Sequence, residues 1–356
     1  MFVDIYDQLY ISYASVVSTL GVLFNAFLLF LIFFKSPSCL TPYTVFLANT
    51  SITQLLYSLC FILTVPRVIS INLRIVNIYL GFSQFLGHWW SYMIFVTMLH
   101  FAVNSFLSIM LSMVFRAISL KTLRFPTSGA FAMCILAYTI PLSMVVSIRD
   151  IEITSNFTIN SNYTLWQLEN LDKYRTVVGT SVAQSVRPPT EKADSTPLRP
   201  MGQRCCLNPP LLVLGGGWSA VGGRRSISTL WVACCVSLLC IPIYSVMFYC
   251  RFRILRMLER PGYMFNTTTT LQIKRLVKAL TVQSMIPVFT LFPASLIFLS
   301  TQFHVIETTK FGYIIISLLS LSPTIDPLVT IYYVQPYRKY IVDLLWAEER
   351  PMTRPC

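Results

Sequence analysis

The sequence predicts an all-α membrane protein, a bundle of seven transmembrane helices with its N-terminus outside and its C-terminus inside. Hydrophobic residues make up 55% of the 356 positions and charged residues only 12%, whereas a soluble domain carries about 25% charged residues. Seven apolar segments are each long enough to cross a hydrocarbon core of roughly 30 Å at about 1.5 Å per residue. Lysine and arginine concentrate between alternate segments, which sets the orientation.

The predicted spans leave short connections and one long loop between them. Residues 10–148 hold the first four spans and residues 227–334 the last three, with residues 1–9 and 149–226 outside the cell. Residues 335–356 form a cytoplasmic tail in which basic and apolar residues alternate at the spacing of an amphipathic helix. The spans are Tyr10–Phe34, Tyr43–Val65, Trp90–Phe115, Ser128–Ile148, Ile227–Cys250, Ala279–Phe303 and Phe311–Val334.

The basic residues predict which ends face the cytoplasm. The loop Arg251–Lys278 carries seven Lys and Arg residues against one acid, Glu259. Cytoplasmic loops carry such an excess, which attracts anionic lipid. Two glycosylation sequons, at Asn156 and Asn162, fall in the loop predicted to lie outside. Both signals favour the same orientation.

Residues 178–225 form an unusual part of the long outer loop. They are rich in Pro, Gly and Arg and follow neither a helical nor a strand period. The segment fits a disordered extracellular insert. It fits equally well a gene-model artefact such as translated intron, so no function is expected of it.

The seventh span carries one carboxylate, Asp326, between Pro323 and Pro327. An acid within a span costs about 2.5–3.5 kcal/mol on insertion scales, so it is expected to face the bundle interior or water. The prolines free backbone carbonyls that neighbouring helices or water must satisfy. Other spans carry amides that could join this acid in a polar core able to switch between two arrangements, or could each be satisfied locally. The candidates for this core are Asn25, Asn49, Gln54, Asn104, Asp326 and Pro327.

Arg116 lies at the predicted cytoplasmic end of the third span. One interpretation is a positive-inside anchor that snorkels to the interface. The other is a lock that closes the inner mouth of the bundle and then meets a partner protein. The basic loop after the fifth span has the same two interpretations, lipid attraction or docking of a signalling protein. The candidate contacts are Arg116, Arg251, Arg253, Lys274, Arg275 and Lys278.

Aromatic residues near the start of the third span could line an outward-facing pocket or form the interfacial belt, which is the commoner arrangement. Tyr92 and Phe95 are candidates for a ligand contact, and His100 is a weaker one because an interior histidine is usually satisfied by its neighbours. No second His or Cys lies near His100 at metal-ligand spacing, so no metal is expected. The sequence contains no catalytic constellation, no phosphate-binding loop and no nucleic-acid motif, so neither an enzyme nor a cofactor is predicted.

Three stretches resemble the nematode serpentine chemoreceptors, a family of seven-helix G-protein-coupled receptors in the Str-like superfamily. They resemble class delta best, and the resemblance covers most of the chain outside residues 178–225. The stretches are KSPSCLTPYTVFLANTSITQLLYSL (Lys35–Leu59), LVKALTVQSMIPVF (Leu276–Phe289) and SPTIDPLVTIYYVQPYRKYI (Ser322–Ile341).

The resemblance implies a chemosensory receptor of sensory cilia that detects small odorants or pheromones and activates a heterotrimeric G protein. It implies a ligand between the outer halves of the third, fifth, sixth and seventh spans. By position, Asp326-Pro327 corresponds to the Asn-Pro pair of rhodopsin-like receptors and Arg116 to the arginine of their Asp-Arg-Tyr motif. Phe115 and Ala117 replace the acid and the tyrosine, so the usual acid–arginine lock is absent. The alternatives are a transporter, a ligand-gated channel or a non-functional receptor-like gene product.

Overall fold

A computed structural model describes residues 4–36, 41–71, 74–119, 127–147, 174–181, 231–232, 234–236, 238–259, 267–302 and 310–347. Seven helices in these ranges are long and apolar enough to cross a membrane, as the composition predicts. An eighth, shorter helix follows the seventh. The helices are α1 (Ile5–Lys35), α2 (Thr41–Thr64), α3 (His88–Ser119), α4 (Thr127–Ser147), α5 (Cys240–Glu259), α6 (Thr267–Gln302), α7 (Phe311–Tyr333) and α8 (Gln335–Ala347).

The fifth helix departs most from the predicted bounds. Pro242 has no N–H to donate to the carbonyl of Leu238, which instead accepts a bond from the Ile241 amide at 3.1 Å. A proline is tolerated in the first turn of a helix, and α5 accordingly begins at Cys240. At its other end α5 continues to Glu259, and α6 begins at Thr267. Most of the predicted basic loop is therefore helical.

Two connections that the sequence left irregular contribute to a three-stranded antiparallel sheet. Strand β1 (Pro66–Ile71) pairs with β2 (Arg74–Tyr79), and β2 pairs with β3 (Val177–Ser181). Val68 lies opposite Asn77, and Asn77 lies opposite Val178. The residues are β-branched or aromatic at most positions, which suits a pleated, packed surface. The third strand includes the first four residues of the predicted insert 178–225, so the start of that segment has regular secondary structure.

The helices pack around α3 and α7. Helix α3 packs against α2, α4, α5 and α6, while α7 packs against α1, α2, α6 and β1. A tight contact joins α7 to the sheet, because a Cβ atom on Gly312 would collide with the backbone carbonyl oxygen of Val68. We call the end of the bundle that carries β1–β3 the sheet end, and the end that carries α8 the tail end.

An apolar cluster closes the tail end. It joins α1, α2, α3 and α8 through side chains such as Leu31, Phe46 and Met113. Tyr337 of α8 is fully buried in this cluster, and its hydroxyl lies 2.6 Å from the Ser36 hydroxyl. Burial raises the pKa of Tyr337, while the Ser36 hydrogen bond partly offsets that rise. These contacts tie α8 to the foot of α1.

Candidate functional site

A cavity of about 110 Å³ lies inside the bundle near the sheet end. Its wall is almost entirely apolar, and its only polar lining residues among those described are Asn77, Tyr92 and Ser295. The sheet forms one side of the cavity, since residues two apart on a strand share a face. The lining residues are Val68, Ile75 and Asn77 of the sheet, Tyr92, Phe95, Val96 and Leu99 of α3, Val232 and Val236 ahead of α5, Leu291, Ala294, Ser295 and Phe298 of α6, and Ile315, Ile316 and Leu319 of α7.

Two of the three aromatic candidates meet at this cavity. Tyr92 and Phe95 line it, and both are buried. His100 does not line it; its ring lies against the rings of Phe101 and Tyr138, at centroid distances of 5.2 and 5.9 Å. His100 therefore packs among neighbouring aromatics at the junction of α3 and α4.

A buried ionic cluster, which we call the clamp, ties four segments together at the sheet end. Asp7 of α1 lies 3.9 Å from Arg67 of β1, and their side chains are 0% and 4% exposed. The hydroxyl of Tyr174 donates to Asp7 at 2.8 Å, and that of Tyr313 in α7 donates to Asp7 at 2.5 Å. Arg67 in turn donates to the Tyr174 hydroxyl at 3.1 Å and stacks 4.3 Å above the ring of Tyr313.

Burial raises the pKa of Tyr174 above its ordinary value, and its hydrogen bond to Asp7 acts in the same direction. The phenol therefore stays neutral and keeps donating to the carboxylate. Asp7 belongs to residues 1–9, which the sequence predicted as an extracellular terminus ahead of the first span; in the structure α1 begins at Ile5 and Asp7 is buried. A buried acid is tolerated here because a cation and two hydroxyl donors face it.

The carboxylate in the seventh span occupies the interior, as predicted. Asp326 is 1% exposed, and its Oδ2 atom accepts a short hydrogen bond from Gln54 of α2. Gln54 also donates to the Ser105 hydroxyl of α3 at 3.1 Å. A further link runs from the Asp326 carbonyl through the hydroxyl of Thr330, 3.0 Å away, to Gln283 of α6 at 2.6 Å. The acid thus lies where α2, α3, α6 and α7 meet.

Asn25 satisfies a carbonyl that Pro327 leaves free. In a helix the residue at position 327 would donate its N–H to the carbonyl of Pro323, and proline has none. The Asn25 amide donates to that carbonyl at 2.8 Å and to the carbonyl of Gly21 at the same distance. This bond joins α1 to the proline-containing turn of α7. The sequence predicted that a neighbouring helix or water would satisfy the freed carbonyl, but it did not identify Asn25 as the donor.

The remaining amides do not form one continuous network with Asp326. Asn49 of α2 donates to the Ser108 hydroxyl at 3.0 Å and accepts from Tyr138 of α4 at 3.1 Å. Asn104 is fully buried on α3 but does not lie within hydrogen-bonding distance of Gln54 or Asp326. The predicted polar core is therefore divided into an α1–α7 contact, an α2–α3–α7 contact and an α2–α3–α4 contact.

Arg116 lies at the tail end of α3 against an aromatic partner. Its guanidinium is 4.1 Å from the centre of the Tyr43 ring and 5.8 Å from that of Phe115. Its Nε and Nη2 atoms are buried and form no hydrogen bond with the part of the chain that the structure describes. An aromatic face thus contacts the guanidinium, where a carboxylate would in an acid–arginine pair, and no sequence pattern indicated this contact with Tyr43.

The other predicted contacts lie in α5 and α6. Arg253 and Lys278 are exposed and Arg251 is half-buried. Arg253 donates to the Tyr249 hydroxyl at 3.0 Å. The side chains of Lys274 and Arg275 lie outside the described residues, as do Asn156 and Asn162 with their sequons.

Comparisons with known proteins place the chain in a family. The model of the family described as serpentine type 7TM GPCR chemoreceptor Srd matches residues 10–189 and 219–343, leaving the centre of the unusual insert outside. Serpentine receptor class delta-32 of Caenorhabditis elegans is 82% identical over 355 residues, covering 100% of this chain and 92% of the relative. Serpentine receptor class delta-33 of the same organism is 36% identical, covering 95% of this chain and 87% of that relative.

A solved structure gives the same architecture. The crystal structure of squid rhodopsin superimposes with a TM-score of 0.60 at 13% sequence identity, covering 99% of this chain and 90% of that chain. At that identity the likeness concerns the fold alone, which is the seven-helix receptor fold. The described spans make the chain a multi-pass integral membrane protein. The family model, the similar relatives and the fold all indicate the same family. The chain belongs to the class delta serpentine chemoreceptors.

Proposed function

We propose that the chain is a chemosensory receptor that binds a small odorant or pheromone in the cavity and activates a heterotrimeric G protein at the tail end. The observation that carries the proposal is the apolar cavity inside the bundle, because its walls come from the same helices that support the switch residues. Helix α7 contributes Ile315, Ile316 and Leu319 to the cavity and, two turns after Leu319, carries Asp326.

Helix α7 offers a physical route from ligand to tail end. A ligand acts by binding one arrangement of the bundle better than another, and it shifts the population by that difference in affinity. Movement of α7 changes its bonds to Asn25, Gln54 and Gln283, which lie on three other helices. Because Pro323 and Pro327 interrupt the backbone ladder of α7, its second half can move relative to the first.

The tail end supplies a basic surface for the G protein. In the resting arrangement Arg116 is held by the ring of Tyr43. Its release, together with the exposed side chains of Arg253 on α5 and Lys278 on α6, presents cations to an incoming partner. Arg251, Lys274 and Arg275 belong to the same proposed contact.

The proposed orientation puts the sheet end outside and the tail end in the cytoplasm. It rests on the basic residues of α5, α6 and the tail, and on the family's rhodopsin-like fold. Glycosylation at Asn156 and Asn162 belongs to the same proposal, as does residence in the plasma membrane of sensory cilia.

The test is G-protein activation by the full-length chain in cells exposed to a panel of volatile compounds. Arg116→Ala is expected to abolish the response while the amount of chain at the cell surface stays unchanged. A matched control, Lys35→Ala, removes a cation that packs on Tyr340 at 4.6 Å rather than on the proposed lock, and it should leave most of the response. A response of normal size in Arg116→Ala contradicts the proposal, and current or solute flux that persists when the G protein is inactivated favours a channel or transporter.

A further inference from the structure

The sheet supplies the cavity with one buried hydrogen-bond acceptor. Asn77 of β2 is 2% exposed and lines the cavity beside Ile75, two residues earlier on the same strand face. Its Oδ1 atom is buried and forms no hydrogen bond with any described residue. Buried polar side-chain atoms are nearly always paired. An acceptor left open at the wall of a cavity therefore indicates that its partner comes from a molecule inside the cavity.

The rest of the wall restricts what that molecule is. No Asp, Glu, Lys or Arg side chain is among the described residues that line the cavity. A charged ligand would lose its hydration and find no counter-ion, a heavy penalty in an apolar site. The nearby charges do not help, since Arg67 and Asp7 already pair in the clamp.

The size of the cavity indicates a small ligand. An apolar cavity of about 150 Å³ accommodates benzene, so a cavity of about 110 Å³ suits a molecule of about that size or slightly smaller.

Building on the proposed receptor function, we infer that the ligand is a small uncharged molecule with a mostly hydrocarbon body and one hydrogen-bond donor, which binds the Oδ1 atom of Asn77. Short-chain alcohols and phenols have this chemistry. Asn77 is then the residue that determines specificity, and it lies on the sheet rather than on a transmembrane helix. A site built to bond a polar group rejects the analogue that lacks it, because the buried acceptor is left unpaired.

The experiment compares three probe series of about three to five carbons, none larger than benzene: primary alcohols, the ethers isomeric with them and the alkanes. Binding is measured as the rise in melting temperature of the purified full-length chain in nanodiscs, and signalling as G-protein activation in cells. The alcohols are expected to bind about 5- to 150-fold more tightly than ethers or alkanes, the range for leaving a buried acceptor unpaired. Asn77→Leu should bring the alcohols down to the level of the alkanes and leave alkane binding within about twofold.

A control variant separates Asn77 from the other small polar group of the wall. Ser295→Ala removes a hydroxyl on α6, and the preference for alcohols should persist in it. Loss of that preference in Ser295→Ala but not in Asn77→Leu overturns the assignment. Ethers that bind as well as alcohols also overturn it, because they show that the protein supplies the donor. If alcohols bind with the predicted preference but no G protein is activated, the inference stands and the proposed signalling function fails; if no probe raises the melting temperature, the ligand class itself is refuted.

Discussion

The clamp gives the sharpest prediction about stability. Asp7 and Arg67 are buried 3.9 Å apart, and removing one partner of a buried ion pair costs about 3–5 kcal/mol because the other charge remains in an apolar setting. Asp7→Asn keeps the shape of the side chain and removes its charge. We expect it to lower the free energy of unfolding by about 3–5 kcal/mol, which corresponds to a fall in melting temperature of roughly 4–7 °C for a chain of this length.

The assay is thermal unfolding of the full-length chain in nanodiscs, followed by circular dichroism, as a double-mutant cycle. Arg67→Met alone should cost a similar amount, since it strands the carboxylate with only the hydroxyls of Tyr174 and Tyr313. The double variant should cost much less than the sum, with a coupling of about 2–3 kcal/mol. Costs that simply add, or single variants that cost under about 1 kcal/mol, refute the view that the clamp is one interacting unit.

Three further substitutions test contacts elsewhere. Replacing Tyr43 by Leu removes the cation–π contact of Arg116, which is worth about 0.5–2 kcal/mol, and should raise basal G-protein activation about 2- to 30-fold. Tyr43→Phe keeps the aromatic ring, so its basal activity should stay within about twofold of the unaltered chain. Equal basal activity in the two variants contradicts the proposal that Tyr43 locks Arg116. Gly312→Ala forces α7 away from β1 and should lower stability by about 1–3 kcal/mol in the same unfolding assay, and an unchanged melting temperature rules out the close approach. Asn25→Leu leaves the Pro323 carbonyl unsatisfied at a cost of about 1–3 kcal/mol; a neutral result means that another group reaches that carbonyl.

The spans were predictable because length and the absence of charge are local properties. The predicted starts of the second and seventh spans, Tyr43 and Phe311, lie within two residues of the first residues of α2 and α7. The interior position of Asp326 was predictable on energetic grounds, since a carboxylate facing lipid is too costly. The structure agrees, and it adds that Gln54 is the group that donates to the acid.

The clamp was not predictable, since it depends on contacts between residues far apart in sequence. Asp7 and Tyr313 are separated by 306 positions, and nothing near Asp7 marks it as paired. The sequence predicted only that it lies in the terminus ahead of the first span. The cation–π contact between Arg116 and Tyr43 was not predictable for the same reason, because it joins residues of two different helices.

The sheet was missed for a different reason. Each strand has only five or six residues, and β2 is stable only when it pairs with both neighbours. One local signal was present, since Asn77 interrupts the apolar run Ile75–Tyr79. A single polar residue inside a buried strand marks either a satisfied network or a ligand contact, and only the structure identifies the cavity beside it.

The central claim is that a molecule in the cavity and a G protein at the tail end favour the same arrangement of the bundle. Thermodynamic linkage requires that each then raise the affinity of the other by the same factor, typically about 5- to 150-fold. The most direct measurement is the affinity of the best-binding alcohol for the purified chain in nanodiscs, with and without nucleotide-free G protein. We expect a several-fold gain in affinity when the G protein is present, and loss of alcohol binding in Ala294→Phe, whose larger side chain fills part of the cavity. An alcohol that binds equally well with and without the G protein would contradict the central claim.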